Sequence, residues 1–110
     1  MNTIEKIKKQ IKENMILIYM KGTPQSPSCG FSAQAVQALS SFGEKFAYVD
    51  VLENTDIRNE LPKYANWPTF PQLWVDGQLV GGCSIILDML ENGSLKKLIL
   101  NTVKKYKKEL

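Results

Sequence analysis

Met15-Ile16-Leu17-Ile18-Tyr19-Met20, then Lys21-Gly22-Thr23-Pro24-Gln25-Ser26-Pro27-Ser28, then Cys29-Gly30-Phe31-Ser32 is the stretch that decides the fold. The apolar run is too short to span a membrane and matches a short strand buried on both faces, as at the centre of a parallel sheet. Lys21-Gly22 ends it, and Gly22, Pro24 and Pro27 give the following segment a loop composition. From Cys29 onward Ala35, Val36, Leu39 and Phe42 recur at helical spacing until Gly43. A strand therefore runs through a loop that delivers Cys29 to a helix start.

The flanks extend this unit. Phe46 to Leu52 is β-branched and aromatic enough for a second strand, so strand, helix and strand make a right-handed parallel unit. Upstream, Ile4, Ile7 and Ile11 share one face of a helix over residues 3–12, closed by Asn14. Downstream, Asn54-Thr55-Asp56 offers capping side chains to a short helix carrying Ile57, Arg58 and Leu61, which Pro62 should truncate or bend. Trp67-Pro68-Thr69-Phe70-Pro71 is too proline-rich to be regular. Gln72 to Val75 and Gln78 to Gly81 flank Asp76-Gly77, a strong hairpin signal. Two helices follow, Ser84 to Glu91 and Ser94 to about Tyr106, parted by Asn92-Gly93. This order predicts an α/β fold with a four-stranded mixed sheet flanked by about five helices, in one domain over residues 1–110.

Composition narrows the chemistry. With 110 residues, 44% of them hydrophobic, the chain can bury a core without disulfides or a structural metal. It has no histidine, which excludes the usual serine and cysteine hydrolases and the common catalytic zinc sites. Two cysteines cannot complete a four-thiolate site within one chain, so any soft-metal site must borrow ligands. The apolar run follows a charged stretch and lacks a small-residue cleavage site, from which we expect a cytoplasmic protein that does not engage a membrane. The net charge of +3 comes from lysines gathered at both ends. No aromatic interleaving accompanies them, so they read as solvated helix faces and not as a nucleic-acid surface.

Cys29 is the focus. Free amides at the helix start and the Lys21 cation both favour a thiolate, and Gly30 leaves the sulfur uncovered. The plainer reading is a half-buried cysteine that packs the helix start. Ser32 stands where a dithiol motif would have its second cysteine, so a mixed disulfide on Cys29 must be released by an outside thiol or by Cys83. Cys83, after Gly81-Gly82, reads first as a small buried apolar bystander; a resolving thiol or a second cluster ligand are its alternatives.

These landmarks together resemble the monothiol glutaredoxins of the Cys-Gly-Phe-Ser type, in their short single-domain bacterial form. The resemblance rests on residues 15–20, Lys21-Gly22-Thr23-Pro24, Cys29-Gly30-Phe31-Ser32, the segment Trp67 to Leu73, and Gly81-Gly82-Cys83. It implies a thioredoxin-like fold with a cis bond before Pro71. It also implies a glutathione site in which the Phe70 main chain meets the cysteinyl part and Lys21 and Arg58 hold the glycine carboxylate. Cys83 and Ser84 would face the γ-glutamyl end. The family often has aspartate where this chain has Ser84, so weaker glutathione binding is expected on that side.

The family also implies a [2Fe-2S] cluster bridging a homodimer through Cys29 of each chain and two glutathiones. Cys29 and Cys83 from both chains would also supply four thiolates, so counting alone leaves both schemes open. The expected function is delivery of that cluster to iron–sulfur acceptor proteins, with a BolA-like protein as a further partner. The alternative is glutathione-dependent thiol–disulfide exchange with Cys29 as the nucleophile, an activity expected to be weak. The long stretch Thr23 to Ser28 resembles the extended loop of the cluster-binding members.

Overall fold

The structure is a computed structural model and describes residues 1–109. Strand β1 (Ile16–Met20) is buried along its whole length, because alternate side chains enter two different cores. Ile16, Ile18 and Met20 point into one, and Leu17 and Tyr19 into the other. In chain order the elements are α1 (Thr3–Glu13), β1, β2 (Gly22–Thr23), β3 (Ser26–Pro27), α2 (Gly30–Ser40), β4 (Ala47–Asp50) and α3 (Thr55–Ala65). The chain continues through β5 (Gln72–Val75), β6 (Gln78–Gly81), α4 (Cys83–Asn92) and α5 (Ser94–Glu109).

The main sheet has the order β4-β1-β5-β6. β1 runs parallel to β4, with Leu17 opposite Ala47, and antiparallel to β5, with Leu17 opposite Trp74. The first core takes Ala35, Val36 and Leu39 of α2, Ile86 of α4, and Leu95, Ile99 and Val103 of α5. The second takes Ile7 and Ile11 of α1 and Ile57 and Leu61 of α3. The result is a mixed four-stranded sheet between two helices on one face and three on the other, the thioredoxin-like fold that the sequence led us to expect.

The Asp76-Gly77 turn forms as read, with positive φ at both residues (50° and 77°), as a primed hairpin turn requires. Asp76 also accepts hydrogen bonds of 2.8 Å from Lys105 Nζ and from the Tyr106 hydroxyl, which ties α5 to the hairpin tip. Part of the lysine-rich C-terminus thus has a structural partner.

Four expectations need correction. Pro62 does not stop α3, which continues to Ala65. Ile57 and Leu61 are fully buried, and this anchoring outweighs the one backbone bond that proline forgoes. The helix ends instead at Asn66, in the left-handed conformation (φ 51°). Asn54 occupies the N-cap position but does not cap: its side-chain amide donates to the Asp50 carbonyl at 2.8 Å. Residues 21–28 are not an irregular loop, since β2 and β3 pair antiparallel, with Gly22 opposite Pro27 and Thr23 opposite Ser26. The Asp50 carboxylate accepts the Gly22 N–H at 2.9 Å, a partner 28 residues away that local composition cannot disclose. Finally, Cys83 is half-buried and not the buried residue expected.

Candidate functional site

Cys29 is the N-cap residue of α2, with extended backbone (φ −151°), and its carbonyl accepts the Ala33 N–H at 2.9 Å. The β2–β3 hairpin places it there: the Ser28 N–H bonds to the Lys21 carbonyl at 3.0 Å, closing the path from β1 to α2. A side chain at position 22 would be impossible without rearrangement. A Cβ on Gly22 would lie 2.6 Å from the Ser26 carbonyl oxygen and 2.7 Å from the Ser28 nitrogen, and φ is +89°.

The thiol of Cys29 is held below its ordinary pKa. The largest cause is the Ser32 backbone N–H, joined by the Phe31 N–H, the charge of Lys21 and the Ser32 hydroxyl, against a smaller opposing effect of desolvation. Ser32 is fully buried, and its hydroxyl accepts the Lys21 N–H at 3.2 Å. The residue that stands in for a second cysteine therefore stabilises the thiolate of the first, a role that the sequence reading did not assign to it.

Cys29 opens on a cavity of about 810 Å³. Lys21, Arg58, Phe70, Cys83 and Ser84 line it as well, so the fold brings together every residue singled out from the sequence. Arg58 comes from α3, Phe70 from the segment before the cis Phe70-Pro71 bond, and Cys83 and Ser84 from the first turn of α4. None of the described residues lining the cavity is acidic. Neither α2 nor α4 has a side-chain N-cap bond or an acid in its first turn, so two helix N-termini add their partial positive charge to Lys21 and Arg58. The charged side chains that line the cavity are thus both cationic.

Cys83 is half-buried, and both cysteines are free thiols. Burial raises the pKa of Cys83, and the charge of Cys29 raises it further. The two thiols are thus pushed in opposite directions within one cavity. The Cys83 S–H donates to Gln34 Oε1 at 3.4 Å. Gln34 was missed in the sequence, where a glutamine on the second turn of a helix carries no signal.

Trp67 forms part of the wall, and its buried indole N–H has no partner among the described residues. Fully buried Gln72 braces this wall: its amide donates to the Trp67 carbonyl at 3.0 Å, and its oxygen accepts the Trp74 indole N–H at 3.2 Å. Phe31 is 63% exposed and lines the same cavity as Cys29.

A family model described as Glutaredoxin matches residues 16–80. The chain is 78% identical to Glutaredoxin 4 of Buchnera aphidicola subsp. Acyrthosiphon pisum over 96% of this chain and 98% of that protein. It is 70% identical to Glutaredoxin 4 of Escherichia coli K12 over 97% of this chain and 93% of that one. Among solved structures, reduced apo GrxS14 of poplar superposes with a TM-score of 0.78 at 37% identity, covering 91% of this chain and 92% of that one. No helix among the described residues is long and apolar enough to cross a membrane.

Proposed function

The chain belongs to the glutaredoxin family and is of the bacterial glutaredoxin 4 type, and on that premise we propose that it carries a [2Fe-2S] cluster as cargo between two of its subunits and passes it to acceptor proteins. Glutathione is the proposed partner of the cavity. It is a tripeptide with two carboxylates and one thiol, and the cavity offers Lys21, Arg58 and two helix N-termini with no opposing acid. In this reading Lys21 and Arg58 hold the glycine carboxylate, the Phe70 main chain pairs with the cysteinyl residue, and the first turn of α4 at Cys83 and Ser84 receives the γ-glutamyl end.

The donor set fits a shared cluster. Such a cluster takes four thiolates, and no group of three or more metal-ligating side chains exists among the described residues. One subunit supplies Cys29, whose thiol is already biased toward the thiolate. In this reading the remaining ligands come from a second subunit and from glutathione, and exposed Phe31, two residues from Cys29, offers that subunit an apolar contact. The observation that carries this reading is one thiol with a lowered pKa, Cys29, opening on a cavity that Lys21 and Arg58 line without an opposing acid. Ligands borrowed from free glutathione make the cargo exchangeable, which suits delivery. A cytoplasmic location, the single domain and a BolA-like partner belong to this same reading.

The lowered thiol also supports a second reading, in which Cys29 reduces glutathionylated proteins. Cys29 would attack the glutathione sulfur and expel the protein thiolate; a second glutathione would then displace the first, leaving glutathione disulfide. Anaerobic reconstitution with iron and sulfide, with and without glutathione, followed by visible absorption and steady-state turnover on a glutathionylated protein, separates the two. Colour that requires glutathione, with slow turnover, supports the carrier. A colourless protein with fast turnover refutes it.

A further inference from the structure

Cys83 shares the cavity with Cys29, lies within range of its charge and forms no disulfide with it. Cys83 sits in the first turn of α4. Gly82 precedes it, packed so closely that a Cβ there would lie 3.3 Å from the Pro71 carbonyl oxygen, and a Cβ on Gly81 would lie 2.7 Å from the Ile85 side chain. Rotation of the Cys83 side chain sets where its sulfur lies. That rotation is occupied, because the S–H is engaged by Gln34 Oε1 at 3.4 Å. Gln34 belongs to α2, the same helix that fixes Cys29.

We infer that Gln34 is a positioning residue that holds the Cys83 thiol toward α2 and so keeps it from displacing a thiol bound to Cys29. To attack, the Cys83 sulfur must turn onto the line of the Cys29 S–S bond, which breaks the bond to Gln34. While Gln34 holds it, a mixed disulfide on Cys29 waits for an external thiol. The consequence is a choice of resolution: an outside thiol, which regenerates the free thiol of Cys29, in preference to an internal disulfide that takes both cysteines out of use. The inference rests on Cys29 being the attacking thiolate of the proposed function, and it needs neither glutathione nor a cluster.

The chemistry balances with an external disulfide as oxidant. The Cys29 thiolate attacks the reagent disulfide, forming a mixed disulfide and releasing one reagent thiolate. Cys83 then gives its proton to solvent and attacks the Cys29 sulfur, closing the internal disulfide and releasing the second reagent thiolate. Two protein thiols are oxidised and one reagent disulfide is reduced.

The test uses the full chain with a substoichiometric dithiobis-nitrobenzoate, whose released thiolate is coloured, so the second phase reports attack by Cys83. Cys83→Ala should abolish that phase. Gln34→Leu, which removes the acceptor, should speed it about fivefold, the size of one modest hydrogen bond. Gln34→Glu keeps an acceptor oxygen at the same reach and should restore the slow rate, which a merely structural role would not require. Gln34→Met repeats the test should the leucine variant misfold. A second phase unchanged or slower in Gln34→Leu, or equally fast in Gln34→Glu and Gln34→Leu, overturns the inference. Since the reagent contains no glutathione, these outcomes are separate from failure of the glutathione or cluster reading.

Discussion

The Ser32 hydroxyl accepts the Lys21 N–H at 3.2 Å, joining the end of β1 to the first turn of the helix that presents Cys29. The same hydroxyl helps hold the Cys29 thiol down, while the larger effect comes from the Ser32 backbone N–H. Ser32→Ala should therefore raise the pKa of Cys29 without returning it to that of a free thiol. Alkylation of Cys29 by iodoacetamide across pH, in a Cys83→Ala background, should titrate below about 8.5 in the parent and shift upward in the variant. Identical profiles would remove the hydroxyl from the account.

Because the folded chain holds the Cys29 pKa below that of the unfolded chain, its thiolate stabilises the fold at high pH. That contribution is fully present above the unfolded thiol pKa and is lost as pH falls through the folded value. The stability difference between parent and Cys29→Ser, measured by urea unfolding, should thus grow as pH rises from below the folded thiol pKa toward the unfolded one of about 8.5 and then level off. A difference that shrinks over this window contradicts the assigned sign.

Glutathione binding depends on the two cations at the cavity. Charge-assisted bonds are worth about 1.5 to 3 kcal/mol each, so Lys21→Gln or Arg58→Gln should weaken binding about tenfold or more. Added salt should weaken the parent more than either variant. Ser84→Asp should act the other way, since a carboxylate on the exposed first turn of α4 can pair with the ammonium of the γ-glutamyl end. Isothermal calorimetry measures all three. An unchanged affinity in Ser84→Asp removes the argument from the missing aspartate.

Gly22 tests the scaffold. With φ at +89° and the Ser26 and Ser28 backbones within 2.7 Å of a would-be Cβ, Gly22→Ala must distort the β2–β3 hairpin. The expected cost exceeds about 1 kcal/mol and should appear as a lower Tm. Thiolate reactivity should fall as well, because Ser28 and Cys29 follow directly. An alanine variant with parental Tm and alkylation rate would show that the hairpin does not position Cys29.

The sheet and the order of its helices were legible because local signals agree with the global packing: a bare apolar strand, an Asp-Gly turn and helical spacing after Cys29. The misread places are those where distant partners decide. The Asp50 carboxylate orders Gly22, burial of Ile57 and Leu61 carries α3 past Pro62, and packing of α4 beside α2 turns Cys83 toward Gln34. At the site, Cys29 was readable from its position at a helix start. Assembly of Arg58, Phe70 and Ser84 around it came from the family resemblance, since three segments far apart in the chain give no common sequence signal. Ser32 was read only as an absent thiol, for its hydrogen bond to Lys21 is visible only in three dimensions.

With Cys29 as the one thiol per chain whose pKa is lowered, the proposed cargo is shared with a second subunit and a small thiol. Native mass spectrometry of the anaerobically reconstituted, coloured species counts these components directly. The account predicts two chains, one two-iron cluster and two glutathiones, with the same assembly in Cys83→Ala. A coloured species that contains a single chain, or two chains without glutathione, would contradict it.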